Sequence, residues 1–284
     1  MRFDAVIFDI DNVLIDTRAS YIDCIRKTVE HFLVSVLNFQ PSRYSFLSRK
    51  DVEEFKSLGG FNDDWDTCYG LLLYLLKQKI RKRSVFELTK AKDIHRLTKT
   101  IKTKPLGVKG AERAFGKQKS VTVKNIAKIF QHFYLTDYVW NEKLLISKPV
   151  LKQLKRAELK LGIVTGRSRE EAVFALRRFQ IDSLFDGVVT TDETPAGLKK
   201  PHPYGLLKVA AQLGSNLRFL YVGDLPDDIL AARRARAKIE IASCGFLAAA
   251  VSPLEMRQAF KKAKSDYVCA NVKELTRLIG PIRH

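Results

Sequence analysis

The sequence predicts an α/β fold, in which a doubly wound parallel sheet is interrupted by a large helical insertion. An apolar run of β-forming residues close to the N-terminus ends in two aspartates. From about residue 146 onward, short apolar runs alternate with segments of helical periodicity, whereas the region before it has helical periodicity alone. Strands that alternate with helices form a parallel sheet with right-handed crossovers. We therefore assign residues 1–16 and 146–284 to a core domain and residues 17–145 to an α-helical cap.

The individual elements follow from the spacing of apolar residues and from turn residues. Besides the N-terminal run around Val6 to Leu14, the predicted strands are 160–165, 186–191, 219–223, 239–243 and 267–269. The predicted core helices are 149–158, 168–179, 204–213 and 226–237. In the cap, the predicted helices are 20–37, 51–58, 65–76, one around 94–101 and one around 123–133, the last two flanking a loop near 104–110.

Length and composition place the chain among globular proteins. Its 284 residues are 46% hydrophobic, which is enough for a sizeable core. No apolar run reaches the ~18 residues needed to cross a bilayer, and Asp4, Asp9 and Asp11 interrupt any secretory signal. We therefore expect a cytoplasmic protein with no membrane partner. The cysteines and histidines lack metal-ligand spacing, so buried free thiols are expected.

Positive charge is concentrated in one segment of the cap, residues 77–128. The formal net charge of the chain is +19 at pH 7, and this basic segment contains 17 Lys or Arg against three acidic residues. Such a field attracts phosphorylated metabolites, nucleic acid or an anionic surface, although a charge run is usually only a solvated face. Phe115 is the one aromatic residue between Phe86 and Phe130, so stacking platforms for nucleic acid are scarce.

Asp9 and Asp11 end the first apolar run. On one face of a strand, residues two apart stand roughly 6.5 Å from each other, so both carboxylates would face one pocket. Uncompensated carboxylates repel each other, and a hard divalent cation such as Mg2+ is the simplest compensation. The alternative is that both aspartates are turn residues that cap the strand.

Three later stretches also carry polar groups beside apolar strands. They are Ile163-Val164-Thr165-Gly166-Arg167, Lys199-Lys200-Pro201, and the run from Phe219 to Asp228 that includes Asp224. Ligands of open parallel sheets bind at the carboxyl ends of the strands, near the topological switch point. These strand ends should therefore converge on one site.

With these four stretches in this order, the chain resembles the haloacid dehalogenase-like hydrolase superfamily, in its subfamily I with a helical cap inserted after the first motif. The resemblance implies a Rossmann-like core and Mg2+ as cofactor. It implies that Asp9 is the nucleophile that forms an aspartyl-phosphate and that Asp11 is the general acid and base. Thr165 would bind the phosphoryl group.

The same resemblance assigns the remaining charged residues. Lys200 would steady the nucleophile and the phosphate, and Asp224 would hold Mg2+ together with Asp9 and the Asp11 carbonyl. Asp228 matches the second acidic position of the last motif, where it would lie near the metal or orient Lys200.

Two motif positions need comment. The residue after the second aspartate is Asn12 rather than the usual Gly, and Asn tolerates the left-handed backbone conformation better than most residues. Either Lys199 or Lys200 could act in the third motif, and we choose Lys200 because it directly precedes Pro201.

Gly166 and Arg167 follow Thr165 at the start of a predicted helix. A helix N-terminus can help to hold phosphate, so we predict that both residues bind the substrate. For Arg167 the alternative is an exposed cation at the helix start.

A second signature lies in the cap. Gly59-Gly60-Phe61-Asn62-Asp63-Asp64-Trp65 resembles the Gly-Gly-Phe-Asn-x-Asp-Trp pattern of a little-characterised subgroup of the superfamily. We predict that Asn62 and Trp65 select the substrate. Alternatively, Asn62 or Asp63 caps the next helix and Trp65 packs in the cap core.

Together these observations predict a Mg2+-dependent phosphatase that hydrolyses a small phosphorylated metabolite. A phosphomutase of the same superfamily would retain every catalytic residue, and a nucleic-acid-binding protein could be built on the same scaffold. A cap inserted after the first strand is expected above Asp9, where it can close as a lid that excludes water.

Overall fold

The computed structural model describes residues 3–61, 63–101, 105–195, 197–214 and 216–280. It divides into two compact units, which we call the sheet unit (Met1–Asp16 with Lys143–His284) and the cap unit (Thr17–Glu142). The cap unit ends at Glu142 rather than at residue 145. The reason is that Lys143 and Leu144 pair with Asp16 and Ile15 in an antiparallel ribbon of the sheet unit.

The strands of the described residues all belong to the sheet unit. They are β1 (Ala5–Phe8), β2 (Ile15–Asp16), β3 (Lys143–Leu144), β4 (Lys160–Val164), β5 (Gly187–Val189), β6 (Phe219–Gly223), β7 (Ile241–Phe246) and β8 (Tyr267–Cys269). Six of them form one sheet in the order β5-β4-β1-β6-β7-β8, with every neighbouring pair parallel. The predicted parallel sheet is therefore confirmed.

Both units contain α-helices. Those of the cap unit are α1 (Tyr21–His31, continued by a π-helical turn over Phe32–Val36), α2 (Arg49–Lys56), α3 (Asp64–Leu76), α4 (Val85–Ala91), α5 (Ile94–Thr100), α6 (Gly107–Phe115) and α7 (Val123–Thr136). Those of the sheet unit are α8 (Lys148–Arg156), α9 (Arg169–Arg178), α10 (Tyr204–Leu213), α11 (Pro226–Ala235), α12 (Pro253–Lys262) and α13 (Val272–Ile279). Within the described ranges, no helix is long and apolar enough to cross a membrane.

The sheet is covered by helices on both faces, as its apolar strands require. Successive residues of β1 alternate between two hydrophobic cores, with Val6 and Phe8 in one and Ala5 and Ile7 in the other. The first core also contains buried residues of α8, α9 and α13, and the second contains those of α10 and α11. A strand buried on both faces reads as a continuous apolar run, which is the pattern that predicted β1.

The strand order reverses at β1. This strand lies between β4, which leads outward to β5, and β6, which leads in the opposite direction to β7 and β8. Because the strands are parallel, their carboxyl ends meet at one edge, and the crevice there is the usual ligand site of such sheets. The residues that follow β1, β4 and β6 therefore lie side by side.

The cap unit is built around α3. Every residue of this helix from Thr67 to Leu75 is buried, since α1, α6 and α7 all pack against it. A helix that is apolar all round is stable only inside such a bundle.

A close backbone approach explains the glycines of the cap. Gly60 has a φ of +76°, and a Cβ built on it would lie 2.8 Å from the Cα of Gly107. The main-chain N–H of Gly107 also donates to the carbonyl of Gly59 at 3.0 Å. Contrary to the predicted loop, α6 begins at Gly107, because this contact with Gly59 and Gly60 holds the start of the helix in place.

Candidate active site

Asp9 is the first residue beyond β1 and is buried. Its main-chain N–H donates to the carbonyl of Val222 in β6 at 3.0 Å, which fixes it between the central strands. Its Oδ1 accepts a hydrogen bond from the main-chain N–H of Ile10 at 2.7 Å, and its Oδ2 accepts one from Lys200 Nζ at 2.6 Å. Both oxygens are therefore held in one orientation at the carboxyl end of β1.

Lys200 connects the acidic residues of two strand ends. Its Nζ lies 2.6 Å from Asp9 Oδ2, 2.7 Å from Asp228 Oδ1 and 3.3 Å from Tyr221 Oη. The neighbouring Lys199 is exposed and forms no such contact in the described part of the chain. Of the two lysines that the sequence left open, the structure brings Lys200 into the site.

Asp228, at the start of α11, is almost fully buried and hydrogen-bonded through both oxygens. Oδ1 accepts from Lys200 Nζ and from Tyr221 Oη, the latter at 2.8 Å, and Oδ2 accepts from the main-chain N–H of Leu225 at 3.0 Å. These contacts make Asp228 an anchor for the Lys200 ammonium.

Asp224 follows β6 and has a different environment. Its Oδ2 accepts a hydrogen bond from Asn12 Nδ2 at 3.3 Å, and no other side chain or backbone group of the described residues donates to this carboxylate. Asn12 has a φ of +56°, so the prediction that Asn adopts the left-handed conformation here is confirmed. The residue that replaces the usual Gly thus also contacts an acidic residue of the site.

The three acidic side chains concentrate negative charge. Carboxylate oxygens of Asp9, Asp224 and Asp228 lie within 4.8 Å of one another. Burial raises the pKa of Asp9 to about 7; the charges of Asp228 and Asp11 add to this, against the opposing effect of Lys200. Burial, followed by the charges of Asp228 and Asp9, raises the pKa of Asp224 well above its ordinary range.

The cationic and phenolic groups respond to the same charges. Burial lowers the pKa of Lys200, but the carboxylates of Asp228 and Asp9 outweigh it and hold this pKa well above its usual value. Burial also raises the pKa of Tyr221, so its hydroxyl remains a hydrogen-bond donor. Three carboxylates thus face one ammonium, and an oxygen-only donor set with excess negative charge suits a hard divalent cation such as Mg2+.

Asp11 does not share a strand face with Asp9. β1 ends at Phe8, and the chain turns so that the carbonyl of Ile10 accepts hydrogen bonds from the N–H groups of Leu14 and Ile15. The expectation of two carboxylates on one strand was therefore wrong, because this turn interrupts the extended backbone. The charge of Asp11 still contributes to the raised pKa of Asp9.

Arg167 is a buried partner of Asp11. Its Nε and Nη2 donate to Asp11 Oδ1 at 2.9 and 2.7 Å, and its side chain is 1% exposed. The alternative of an exposed helix-start cation is therefore wrong, because the guanidinium turns inward to the carboxylate.

Thr165 and Gly166 lie just beyond β4, the strand beside β1. Thr165 is buried, its N–H donates to the carbonyl of Val189 at 3.0 Å, and its Oγ1 accepts from the N–H of Arg167 at 3.2 Å. A Cβ built on Gly166 would meet no atom within 4 Å, so open space lies beside this backbone. Ser168 caps the N-terminus of α9 in a capping box completed by Glu171.

A sequence comparison decides the family. The sequence model of the haloacid dehalogenase-like hydrolases matches residues 3–236, which include all four motif stretches. The chain belongs to this hydrolase family.

Relatives of this hydrolase cover different shares of the chain. A protein provisionally named pyrophosphatase PpaX, from Caldanaerobacter subterraneus subsp. tengcongensis, is 33% identical over an alignment of 190 residues, and the match covers 62% of this chain and 82% of that protein. An imidazoleglycerol-phosphate dehydratase from Phytophthora nicotianae is 28% identical over 82% of this chain. The chain spans 42%, less than half, of that protein's length.

A solved structure has the same fold. Phosphatase Tt82 from Thermococcus thioreducens superimposes with a TM-score of 0.63 over 84% of this chain and 90% of its own, at 24% identity. At that identity the likeness establishes the fold of the hydrolase alone.

Two predicted substrate-binding residues of the hydrolase belong to the cap. Asn62 lies outside the described residues. Trp65 is half-buried and packs against the hydrophobic core of the cap unit, and Asp63 Oδ1 accepts from its main-chain N–H at 2.8 Å, as expected for the cap of α3. These contacts agree with the alternative in which Asp63 caps α3 and Trp65 packs in the cap core.

Sequence reasoning missed Tyr221. Its side chain is fully buried, and its hydroxyl contacts both Asp228 and Lys200. The available signal was a tyrosine inside an otherwise apolar strand, three residues before Asp224, because a buried hydroxyl requires a polar partner.

Proposed function

We propose that this hydrolase is a Mg2+-dependent phosphatase that hydrolyses a small phosphorylated metabolite through an aspartyl-phosphate on Asp9. The observation that carries the proposal is the buried Asp9 carboxylate, held at 2.6 Å from Lys200 at the carboxyl end of the central strand. The nearby carboxylates of Asp224 and Asp228 supply the acidic cluster that such chemistry requires. A carboxylate nucleophile divides hydrolysis into two easier steps through a covalent intermediate.

In the first step, an Asp9 oxygen attacks phosphorus and the bond between phosphorus and the leaving oxygen breaks. Asp11 gives its proton to that oxygen. In the second step, a water molecule loses a proton to Asp11 and attacks the same phosphorus, which releases Asp9 and inorganic phosphate. General acid and base catalysis of this kind typically contributes ~100- to 10,000-fold.

The charge of the phosphoryl group is met by residues around Asp9. Lys200 carries a fixed ammonium beside the nucleophile, and the Thr165 hydroxyl offers a hydrogen bond at the neighbouring strand end. Preorganised groups of this kind stabilise the charge that develops on the phosphoryl oxygens. Asp228 takes the orienting role for Lys200, since both of its oxygens already accept hydrogen bonds.

Mg2+ would be held by Asp9, Asp224 and the main-chain carbonyl of Asp11, with Asp228 in the surrounding layer. When bound, it would neutralise charge on the substrate and on the acidic cluster.

Substrate choice falls to the cap in this proposal. Asn62 of the cap signature would select the group attached to phosphorus, and the basic segment would favour polyanionic substrates. The basic-segment idea predicts that activity toward bisphosphates or nucleotides falls more steeply with added salt than activity toward a neutral-tailed monophosphate. Equal salt dependence for the two classes would contradict it.

The experiment is phosphate release from a panel of phosphorylated compounds, with Mg2+ and with chelator. Inorganic pyrophosphate belongs in the panel because the PpaX relative is named for it, alongside 2-phosphoglycolate, sugar bisphosphates and nucleotides. Turnover should require Mg2+ and be abolished in Asp9→Asn and Lys200→Met, whereas the neighbouring Lys199→Met should keep near-normal turnover. Silence across the panel, or turnover that persists in Asp9→Asn, would overturn the proposal.

A further inference from the structure

We propose that Arg167 is a positioning residue that orients the Asp11 carboxylate for proton transfer, rather than a group that binds the substrate phosphate. This inference rests on the proposed function, because it concerns the proton that Asp11 gives and takes. It replaces the substrate-binding role that we predicted for Arg167 from its place after Thr165.

The contact between Arg167 and Asp11 uses one oxygen of the carboxylate. Two of the three guanidinium nitrogens, Nε at 2.9 Å and Nη2 at 2.7 Å, donate to Asp11 Oδ1. Asp11 Oδ2 accepts no hydrogen bond from the described part of the chain, and the Asp11 side chain is 30% exposed. One oxygen is therefore held while the other is left to exchange a proton.

This arrangement suits a group that must act in both protonation states. A guanidinium does not lose its proton, so it donates the same hydrogen bonds throughout the reaction. Oδ1 can accept both bonds whether Oδ2 is protonated or not. The orientation of Asp11 is therefore kept between the first step, in which it gives a proton, and the second, in which it takes one.

The rest of Arg167 is anchored as well. Its N–H donates to Thr165 Oγ1 at 3.2 Å, its carbonyl accepts from the N–H of Thr191 at 3.0 Å, and the next residue, Ser168, caps α9. A side chain that is 1% exposed on a backbone held at both sides has little freedom to follow a ligand. The guanidinium is buried although the Asp11 carboxylate is partly exposed, and separating a buried charge from its partner is costly, which further favours a permanent contact with Asp11.

The two roles of Arg167 predict different kinetics. A positioning residue acts through Asp11, so its removal lowers kcat and leaves KM within about threefold. Its removal should also leave the rate of the first step nearly unchanged when the leaving group needs no proton. A phosphate-binding residue would instead raise KM, and its removal would slow all substrates alike.

The experiment compares Arg167→Met and Arg167→Lys in the full chain, alone and combined with Asp11→Asn. Arg177→Met is the matched control, since Arg177 lies on the following helix with a side chain 73% exposed. Rapid-mixing release of the leaving group is followed for 4-nitrophenyl phosphate and for an alkyl phosphate that the wild type hydrolyses. Circular dichroism and calorimetric Mg2+ titration establish that each variant is folded.

We expect Arg167→Met to slow alkyl alcohol release by about 100-fold and 4-nitrophenolate release by less than about threefold. Arg167→Lys, which keeps a donor and the charge, should recover part of the loss, and Arg177→Met should match the wild type. In the Asp11→Asn background, Arg167→Met should have no further effect, because residues that act as a unit are not additive. If Arg167→Met does not fold, the same cycle is made with Arg167→Lys.

The inference is overturned if the Arg167 and Asp11 substitutions are additive, or if Arg167→Met raises KM and slows both leaving groups equally. A wild type without Mg2+-dependent turnover would instead overturn the proposed function. The two failures are therefore distinguishable.

Discussion

The acidic cluster predicts that Asp9→Asn stabilises the metal-free protein. Asp9, Asp224 and Asp228 place three carboxylates around the single ammonium of Lys200 in a largely buried site. Removing one carboxylate should relieve this excess charge. The Asn carbonyl can still accept a hydrogen bond from Lys200, but the bond from the Ile10 N–H is lost because the Asn amide nitrogen is a donor. Function is thus expected to cost stability at this point of the fold.

The magnitude follows from the pKa of Asp9. Burial, followed by neighbouring charges, raises it from 3.8 to about 7. Each pKa unit corresponds to about 1.4 kcal/mol, so the ionised carboxylate opposes folding by up to about 4 kcal/mol above pH 7. Because Asn is still a buried polar group and the bond from Ile10 is lost, we expect a gain of about 1–3 kcal/mol in the free energy of unfolding.

The same pKa also determines the direction in which stability changes with pH. A carboxyl group whose pKa is higher in the folded state binds more protons when folded, so it lowers stability as the pH rises. For metal-free wild type, the Asp9 contribution is fully favourable below about pH 4 and is lost between pH 4 and about 7. The difference in the free energy of unfolding between wild type and Asp9→Asn should grow over this same pH range.

The assay is thermal and urea unfolding of both proteins in chelator and in saturating Mg2+. A gain of 1 kcal/mol raises the midpoint by about 2–4 °C in a domain of this size. Mg2+ should stabilise the wild type more than the variant, because the variant lacks a proposed ligand. Asp4→Asn is the control of opposite sign, since the hydrogen bonds from Arg218 lower the pKa of Asp4 to about 2. An Asp9→Asn protein that is less stable than wild type in chelator at pH 8 would refute this reasoning.

Three further substitutions test the geometry around the cluster. Gly223→Ala should lower turnover by about 100-fold or more, because the new Cβ would lie 2.2 Å from Asp228 Cβ and must displace that side chain; steady-state kinetics measures the loss. Asn12→Gly keeps the left-handed backbone but deletes the amide on Asp224, so calorimetry should find Mg2+ bound roughly tenfold more weakly, and unchanged affinity would contradict that role. Tyr221→Phe removes the hydroxyl that donates to Asp228, so urea titrations should find the free energy of unfolding lower by about 1.5–3 kcal/mol. A decrease of less than about 0.5 kcal/mol would contradict this role of the hydroxyl.

The six strands of the main sheet and the helices α8 to α11 were predictable because local signals and tertiary demands agree there, whereas α12, α13 and the short β2–β3 ribbon were not predicted. A strand covered on both faces, such as β6, must be apolar throughout, and Tyr204 to Leu213 has the periodicity of the helix that forms. Boundaries were less predictable where a neighbour sets the length. β7 extends from Ile241 to Phe246 rather than over residues 239–243, because it pairs with β6 on one side and β8 on the other.

In the candidate site, residue type was predictable but contact was not. The resemblance to the family's motifs marked Asp9, Asp224 and one of Lys199 and Lys200 as chemistry-bearing residues, at strand ends where ligands of such sheets bind. Which atoms touch depends on the turn after β1 and on the packing of β4 and β6 beside it. The pairing of Arg167 with Asp11 joins positions 156 residues apart and left no local signal.

The sequence by itself determined the alternation of the main-sheet strands with helices α8 to α11, the insertion of a helical region after the first strand, and the acidic and basic residues available for chemistry. It could do so because periodicity and residue type act over short stretches of chain. Only the tertiary structure decided that Lys200 rather than Lys199 reaches Asp9, that Tyr221 joins Asp228, and that Arg167 turns inward. Those outcomes depend on burial and on the balance of charges among side chains that meet only once the sheet is assembled.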